Sequence, residues 1–310
     1  MGEENTVQMG SKFDPKLVSD LFNLVRGHSA LAKLSAQKPI PFTGEKEFTF
    51  SMNEGVQIVG ESKQKKQNTI EMEPKVIKPV KMVYQARFSD EFLRASSEQK
   101  LNYLKAFTEG AAVQYAKALD YAAIHGMNPY TGEKATFYDT NSFDGQVGNV
   151  TAYDATKVDD QLDEAINSLD EVNGIALSKR AGADMGKIKA NGIAVYPEFR
   201  FGGNPASFAG KNCDVSETIS AGPIGEDVEP YEDFAIVGDF QNAFRWGYAD
   251  GTNGDSMNLE CITMGDPDQT GRDLKAYNEV CLRLETYIGW GLLNADDFAI
   301  LRYPVNEESV

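Results

Sequence analysis

Few residues in this sequence have the type and spacing to do chemistry. The two histidines, His28 and His125, lie far apart, and neither falls in a ligand spacing such as H-E-x-x-H. His125 ends a predicted helix, where an imidazole is expected to meet the last carbonyls. No G-x-S-x-G elbow or Walker loop occurs, and Gly145-Gln146-Val147-Gly148 and Gly202-Gly203 lack the strand-before-helix context of a phosphate cradle. Asp250-Gly251-Thr252-Asn253-Gly254-Asp255 has the composition of a calcium loop. Gly254 stands where an oxygen ligand belongs, however, so a hairpin turn is expected there. The acid pairs Asp159-Asp160 and Asp296-Asp297 read as a solvated helix face and a turn. Cys213, Cys261 and Cys281 share no C-x-x-C spacing and are expected to be reduced thiols, neither disulfides nor a zinc site. Lys63-Gln64-Lys65-Lys66 holds three positive charges and no acid. It is too short and too poor in aromatics to bind nucleic acid, but it suits contact with a neighbouring acidic surface. Nothing here implies a cofactor. A soluble hydrolase stays open only because a carboxylate pair from distant segments leaves no mark in sequence.

The composition narrows the classes further. The chain has 310 residues, 41% of them apolar, which suffices for one large or two modest cores. With 47 acidic and 30 basic residues the net charge is −17, which disfavours broad adhesion to phosphate backbones or anionic lipid. Met1 to Lys12 lacks a signal-peptide pattern, and no apolar run approaches the ~20 residues of a membrane span.

The patterning gives an α+β fold with strands scattered among helices. A polar arm opens the chain and carries one amphipathic helix begun by Asp14-Pro15, with Leu17, Leu21, Leu24 and Val25 on one face and Gly27 as its stop. That stripe suits either a partner chain or the helix's own domain. From Pro39 to Phe88 the chain is extended. Glu47 to Met52 alternates strictly, and a second run places Val76, Lys78, Val80, Met82, Tyr84, Ala86 and Phe88 on one parity. Pro74 and Pro79 confine that run to the edge of a thin ribbon. A two-stranded ribbon is marginal alone, so it is expected to lie on another subunit and, free, to be cut between Gly60 and Asn68 before the rest of the chain. Ser96 to Gln99 forms a capping box and Gly126 a stop, bounding a helix of roughly 28 residues, about 40 Å long, with Phe107, Tyr115 and Leu119 in its core face. A second helix is expected over Asp154 to Val172 and a third near Ala183 to Ala190. Strands are expected at 174–178, 193–196, 214–219, 233–237, 243–248, 256–263 and 277–287.

The order of parts (arm, ribbon, spine helix, mixed domain, closing strand) resembles the major capsid proteins of tailed phages, the Hong Kong phage type or Johnson fold. Phe88-Ser89-Asp90-Glu91-Phe92-Leu93 is similar to the family's lead into the spine helix, and Leu119-Asp120-Tyr121-Ala122-Ala123-Ile124-His125-Gly126 to its exit. Gly174 to Ser178 through Phe208-Ala209-Gly210 resembles the axial domain. Ala235 to Phe240 and Asn278 to Glu285 through Ala299-Ile300-Leu301 resemble the closing signature. The resemblance implies an N-terminal arm over 1–37, an E-loop over 38–86, a peripheral domain over 87–140 and 272–310, and an axial domain over 141–271. It implies a structural, non-enzymatic subunit that forms hexamers and pentamers, in an icosahedral virion head assembled in the bacterial host's cytoplasm around packaged double-stranded DNA read without sequence specificity. Portal and a separate scaffold or decoration protein would be its partners, with no membrane. An encapsulin-type nanocompartment shell shares the fold and is the alternative. Some relatives join subunits by a lysine–asparagine isopeptide bond assisted by a glutamate. Asn278 and Glu285 resemble that asparagine and glutamate, and Lys63, Lys65 or Lys66 would supply the amine; most relatives make no such bond.

Overall fold

The computed structural model describes residues 25, 27–51, 59, 61, 71–134, 141–220, 231–250 and 257–304. Leu17, Leu21, Leu24, Lys63, Lys65 and Lys66 lie outside the described residues, as do positions 251–256 of the acidic stretch.

Three helices carry most of the helical packing. Helix α1 (Ala30–Leu34) is a short turn capped by Ser29, whose Oγ accepts from Ala32 N. The spine, α2 (Ser97–His125), has 29 residues, about 43 Å at 1.5 Å per residue. Its ends are the expected ones: Ser96 and Gln99 complete a capping box, and Gly126 closes the helix at φ 66°. Helix α3 (Val158–Asn167) is shorter than the periodicity suggests, because the chain turns at Ser168, whose hydroxyl donates to Ala165 O. A further helix, α4 (Lys179–Met185), begins four residues earlier than expected because the Ser178 hydroxyl caps Ala181 N and Gly186 stops it.

The strands form two principal sheets. β1 (Ile40–Pro41), β4 (Val80–Ser89), β12 (Phe244–Asp250), β13 (Met257–Ile262) and β14 (Glu279–Leu292) make a five-stranded sheet. β14 is its axis. β4 runs antiparallel along one side of it, while β12 and β13 run antiparallel along the other, in register with Leu292 to Ile288 and Thr286 to Cys281 respectively. β12 and β13 therefore point the same way along β14; positions 251–256, where a hairpin turn is expected, lie outside the described residues. β2 (Glu45–Ser51) and β3 (Glu71–Ile77) form a separate two-stranded ribbon. The second sheet has the order β5-β15-β11-β6-β10-β9, where β5 is Val150–Ala152, β6 Gly174–Ser178, β9 Ser207–Phe208, β10 Lys211–Ser216, β11 Tyr231–Gly238 and β15 Phe298–Pro304. A small hairpin, β7 (Lys189–Ala190) with β8 (Ile193–Ala194), stands apart.

The sheets cut across the expected domain boundaries. Residues 244–250 and 257–262, which the resemblance places in the axial domain, pair with β14 in the sheet that β4 also joins. Residues 298–304, assigned to the peripheral part, join β11. The physical reason is β14, whose two edges take partners from distant earlier segments, 80–89 on one side and 244–250 and 257–262 on the other.

One core lies between the spine, the five-stranded sheet and one face of the six-stranded sheet, and includes Leu104, Phe107, Tyr115, Leu119, Leu282, Leu284, Ala176, Ile236 and Ile300. A second core lies on the other face, where Ile175, Leu177, Val237 and Leu301 pack with Val158, Leu162 and Met185 of α3 and α4. Alternate residues of β6 and β11 thus serve opposite cores, which is why these strands read as continuous apolar runs. Tyr115 combines both duties of a core tyrosine, packing its ring while its hydroxyl donates to Leu284 O at 2.7 Å. Leu119 is fully buried. Leu119→Ala is expected to cost about 2–5 kcal/mol, read as a lower denaturation midpoint at unchanged slope.

Candidate functional site

Among the described residues, the ribbon stands apart from both principal sheets. β2 and β3 pair from Glu45 with Ile77 to Ser51 with Glu71, and with no other strand among the described residues. Pro74 faces Phe48 in this ladder, which only a strand with a free side tolerates, as the sequence suggests. Val76 and Lys46 are exposed.

Its root is built with care. Ile40 and Ile77, at the points where the ribbon leaves the sheet, are both fully buried. They press on a strip of strand that has no side chains. Gly247 faces Gly289 across β12 and β14, and a Cβ at Gly247 would overlap the Lys38 carbonyl oxygen. One at Gly291 would come within 2.7 Å of Ile77 Cγ1. Glycine is required at Gly247 by the approach of backbone to backbone, which also lets Lys38 N donate to Trp246 O at 3.0 Å. Arg245, 12% exposed, lies over this root. It pairs with Glu45 at 3.0 Å and with Glu47, and donates to Pro39 O at 3.1 Å. Glu45 and Glu47 are two residues apart on one strand and so share a face, which lets one guanidinium hold both. The alternation of β2 is visible in sequence; its cation, about 200 residues away, is not.

The other expected contact residues are separated. Asn278 takes the left-handed conformation, φ 56°, just before β14, and its carbonyl accepts from Asp90 N at 2.8 Å. Glu285 sits mid-strand opposite Val83 and pairs with Lys81 Nζ at 2.9 Å. Seven residues of strand, ~23 Å, lie between Asn278 and Glu285 in one subunit. Any joint chemistry of the two would need a second subunit to supply one of them.

Sequence reasoning missed a buried polar junction at the end of the spine. Asp120 accepts four hydrogen bonds: from Ser29 Oγ, Ala30 N, Leu31 N and Thr218 Oγ1. Burial raises its pKa while these four donors oppose the rise. His125 does not cap its own helix as expected. It is fully buried, with Nδ1 2.8 Å from Asp144 Oδ2 and Nε2 2.9 Å from the Thr218 carbonyl. A carbonyl only accepts, so Nε2 carries a proton. Burial by itself would lower the histidine pKa, but the Asp144 and Asp233 charges outweigh it and raise it, which favours the protonated ring. Burial likewise pushes Asp144 up, and His125 and Arg302 overcome it and hold the carboxyl down at about 2. Arg302 closes the network, with Nε on Asp233 at 2.6 Å and Nη2 on Asp144 at 2.6 Å.

His125, Asp144 and Asp233 converge closely enough to suggest a metal centre, but Arg302 already occupies both carboxylates. His125 and Arg302 thus face two carboxyl groups whose side chains are 1% and 0% exposed, and burial together with the Asp144 charge pushes Asp233 up to about 7. No substrate reaches this pair, so it does not serve the hydrolase alternative. It is a weld. The network ties the spine's C-terminus to α1, to the helical turn Phe143–Gln146, and to β11 and β15.

A free ribbon, a spine helix and a doubly covered sheet also describe a known set of structures. A solved structure from Mycobacterium phage Ogopogo matches at 28% identity and a TM-score of 0.72, over 89% of this chain and 92% of that one. One from Gordonia phage Cozz matches at 23% identity and a TM-score of 0.68, over 89% and 86%. A structure described as the capsid of an empty GTA particle, computed with C5 symmetry, matches at 13% identity and a TM-score of 0.60, over 98% and 94%. The chain has the fold of a tailed-phage major capsid protein. In this capsid fold the two-stranded ribbon is the E-loop and α2 the spine helix. No protein-family model and no curated sequence matches the chain.

Proposed function

We propose that this capsid protein is the repeating subunit of an icosahedral phage head, assembled from hexamers and pentamers of itself around double-stranded DNA in the host cytoplasm. The single observation that carries this reading is the ribbon. It extends from a glycine-floored, arginine-clamped root, and its strands pair with no other strand among the described residues. A strand pair left so exposed gains its burial from a neighbour. The charge supports the same reading from another side. A wall built of subunits at −17 each repels phosphate, so packaged DNA slides against it without adhering. Portal and a separate scaffold or decoration protein complete the proposed set of partners. Electron microscopy of the expressed chain tests the proposal: closed shells or capsomer rings are expected, and a persistent monomer would refute it. Shells that copurify with an encapsulated enzyme would favour the nanocompartment alternative.

The reading assigns a contact role to Lys63, Lys65 and Lys66, which would dock on an acidic patch of the next subunit. Each exposed pair contributes only about 0.2–1 kcal/mol, but a closed shell repeats it at every equivalent contact. Changing all three lysines to glutamate is expected to leave the subunit folded by circular dichroism and to lower shell yield. The defect should shrink as salt screens the repulsion. Wild-type yields from the triple variant at low ionic strength would remove the lysines from the interface.

A further inference from the structure

The connection between β13 and β14 holds a pattern that the capsid role leaves unexplained. Asp266-Pro267-Asp268-Gln269-Thr270-Gly271 places oxygen-bearing side chains at the first, third and fifth positions and glycine at the sixth. Calcium loops use the same spacing, with the backbone carbonyl of the seventh residue as a further ligand. Here Gly271 has φ +79°, so the chain turns sharply where such a loop must. The seventh residue is Arg272.

All of these oxygens converge on one positive group from outside the loop. Arg87 projects from β4, where it pairs with Cys281 on the far side of β14 from β13. Its Nε donates to Asp268 Oδ2 at 2.7 Å. Nη2 donates to Asp266 Oδ1 at 2.8 Å, to Thr270 Oγ1 at 2.8 Å and to Asp268 Oδ1. Nη1 donates to the Arg272 carbonyl at 3.0 Å and to Glu279 Oε2 at 3.0 Å. Side chains one, three and five and backbone carbonyl seven therefore all bind the guanidinium. Glu279 adds the third carboxylate from the strand. Arg87 in turn holds the Asp268 carboxyl well below the usual carboxylate range.

We propose that residues 266–272 are a cation-binding loop whose resident cation is the chain's own Arg87, and that removing this guanidinium converts the loop into a calcium site. In the native chain the arrangement latches the loop onto β4, the strand that continues from the ribbon. The charge balance supports the conversion. Asp266, Asp268 and Glu279 carry three negative charges, and Arg272, 2.7 Å from Glu279, returns one positive. Without Arg87 the site is left at −2, which matches a divalent ion.

The test compares the full-length wild-type chain with Arg87→Ala and Arg87→Gln, in calcium, magnesium or chelator, by thermal unfolding. Terbium luminescence, sensitised through Tyr277 on the same loop, reports binding directly. Wild type is expected to show no calcium-dependent shift in Tm and no terbium signal. Arg87→Ala should unfold several degrees lower in chelator, recover in calcium but not in magnesium, and give terbium emission that excess calcium displaces. Adding Asp268→Asn to either variant should abolish both responses. If Arg87→Ala does not fold in any condition, Arg87→Gln, which keeps one amide donor, carries the test. Folded variants that ignore calcium, or a wild type that responds as strongly as they do, would overturn the proposal.

Discussion

Asp120→Ala is expected to destabilise the subunit by about 3–5 kcal/mol, a large share of the stability of a typical domain. Asp120 has no exposed surface and satisfies two backbone amides and two hydroxyls, none of which can reach water if the carboxylate goes. A buried donor left without an acceptor costs about 1–3 kcal/mol, and relief of the buried charge offsets only part of the sum. The loss should separate α1 from the spine before the rest of the fold melts, because Ser29, Ala30 and Leu31 all hang from this one side chain. Denaturant unfolding checks the size, and hydrogen exchange at Ala30 and Leu31 checks the place. Glu232→Ala, which breaks the exposed pair with Arg180 (69% exposed), serves as the contrast and should cost no more than about 1 kcal/mol. Similar costs for the two variants would mean that Asp120 is not the anchor described.

Gly247→Ala is expected to abolish shell formation while sparing the spine and the six-stranded sheet. The added Cβ would meet the Lys38 carbonyl, a backbone atom that no rotamer change can move aside. The Lys38–Trp246 hydrogen bond and the parallel pairing of β1 with β12 must yield, at a cost of roughly 3 kcal/mol. Ile40 is then displaced from the root, and the direction in which the ribbon points is lost. An assembly that repeats one contact around a closed surface tolerates little error in that direction. Particle yield by electron microscopy should fall at least tenfold, with near-native circular dichroism. Gly291→Ala meets the Ile77 side chain, which can shift, and should be milder. Wild-type shells from Gly247→Ala would show that the root does not set the ribbon's course.

Local chemistry was enough to place the spine to within a residue at each end. Ser96, Gln99 and Gly126 act on backbone groups one turn away, so their effect is written in adjacent letters. The ribbon was legible only in part. Alternation marks β2, but the second run, read as ribbon through Phe88, belongs to it only as far as Ile77. From Val80 it is β4, paired with β14 and packed through Met82, Tyr84, Ala86 and Phe88 on the chain's own core. Helices α3 and α4 were displaced because apolar periodicity ran past the serine caps that end or begin them. His125 was misread because its partners, Asp144 and the Thr218 carbonyl, are brought to it by the helical turn Phe143–Gln146 and by the turn that follows β10. The cation loop at 266–271 was visible as a spacing.

By itself the sequence determined the α+β class, the ribbon, the spine and its caps, the residues of its buried face and the resemblance to a capsid subunit. Each of these follows from interactions within a few residues or from the order of parts. Only the tertiary structure decided which carboxylate meets which cation: Arg245 with Glu45 and Glu47, Arg302 with Asp144 and Asp233, Arg87 with the 266–272 loop. Charge attracts without regard to sequence separation. These partners lie 69 to 200 residues apart, and any of 30 basic and 47 acidic side chains could have been paired. The choice was made by the sheets: β14 brings β4, with Arg87, beside β13 and the loop that follows it, and β11 pairs with β15 to set Asp233 beside Arg302.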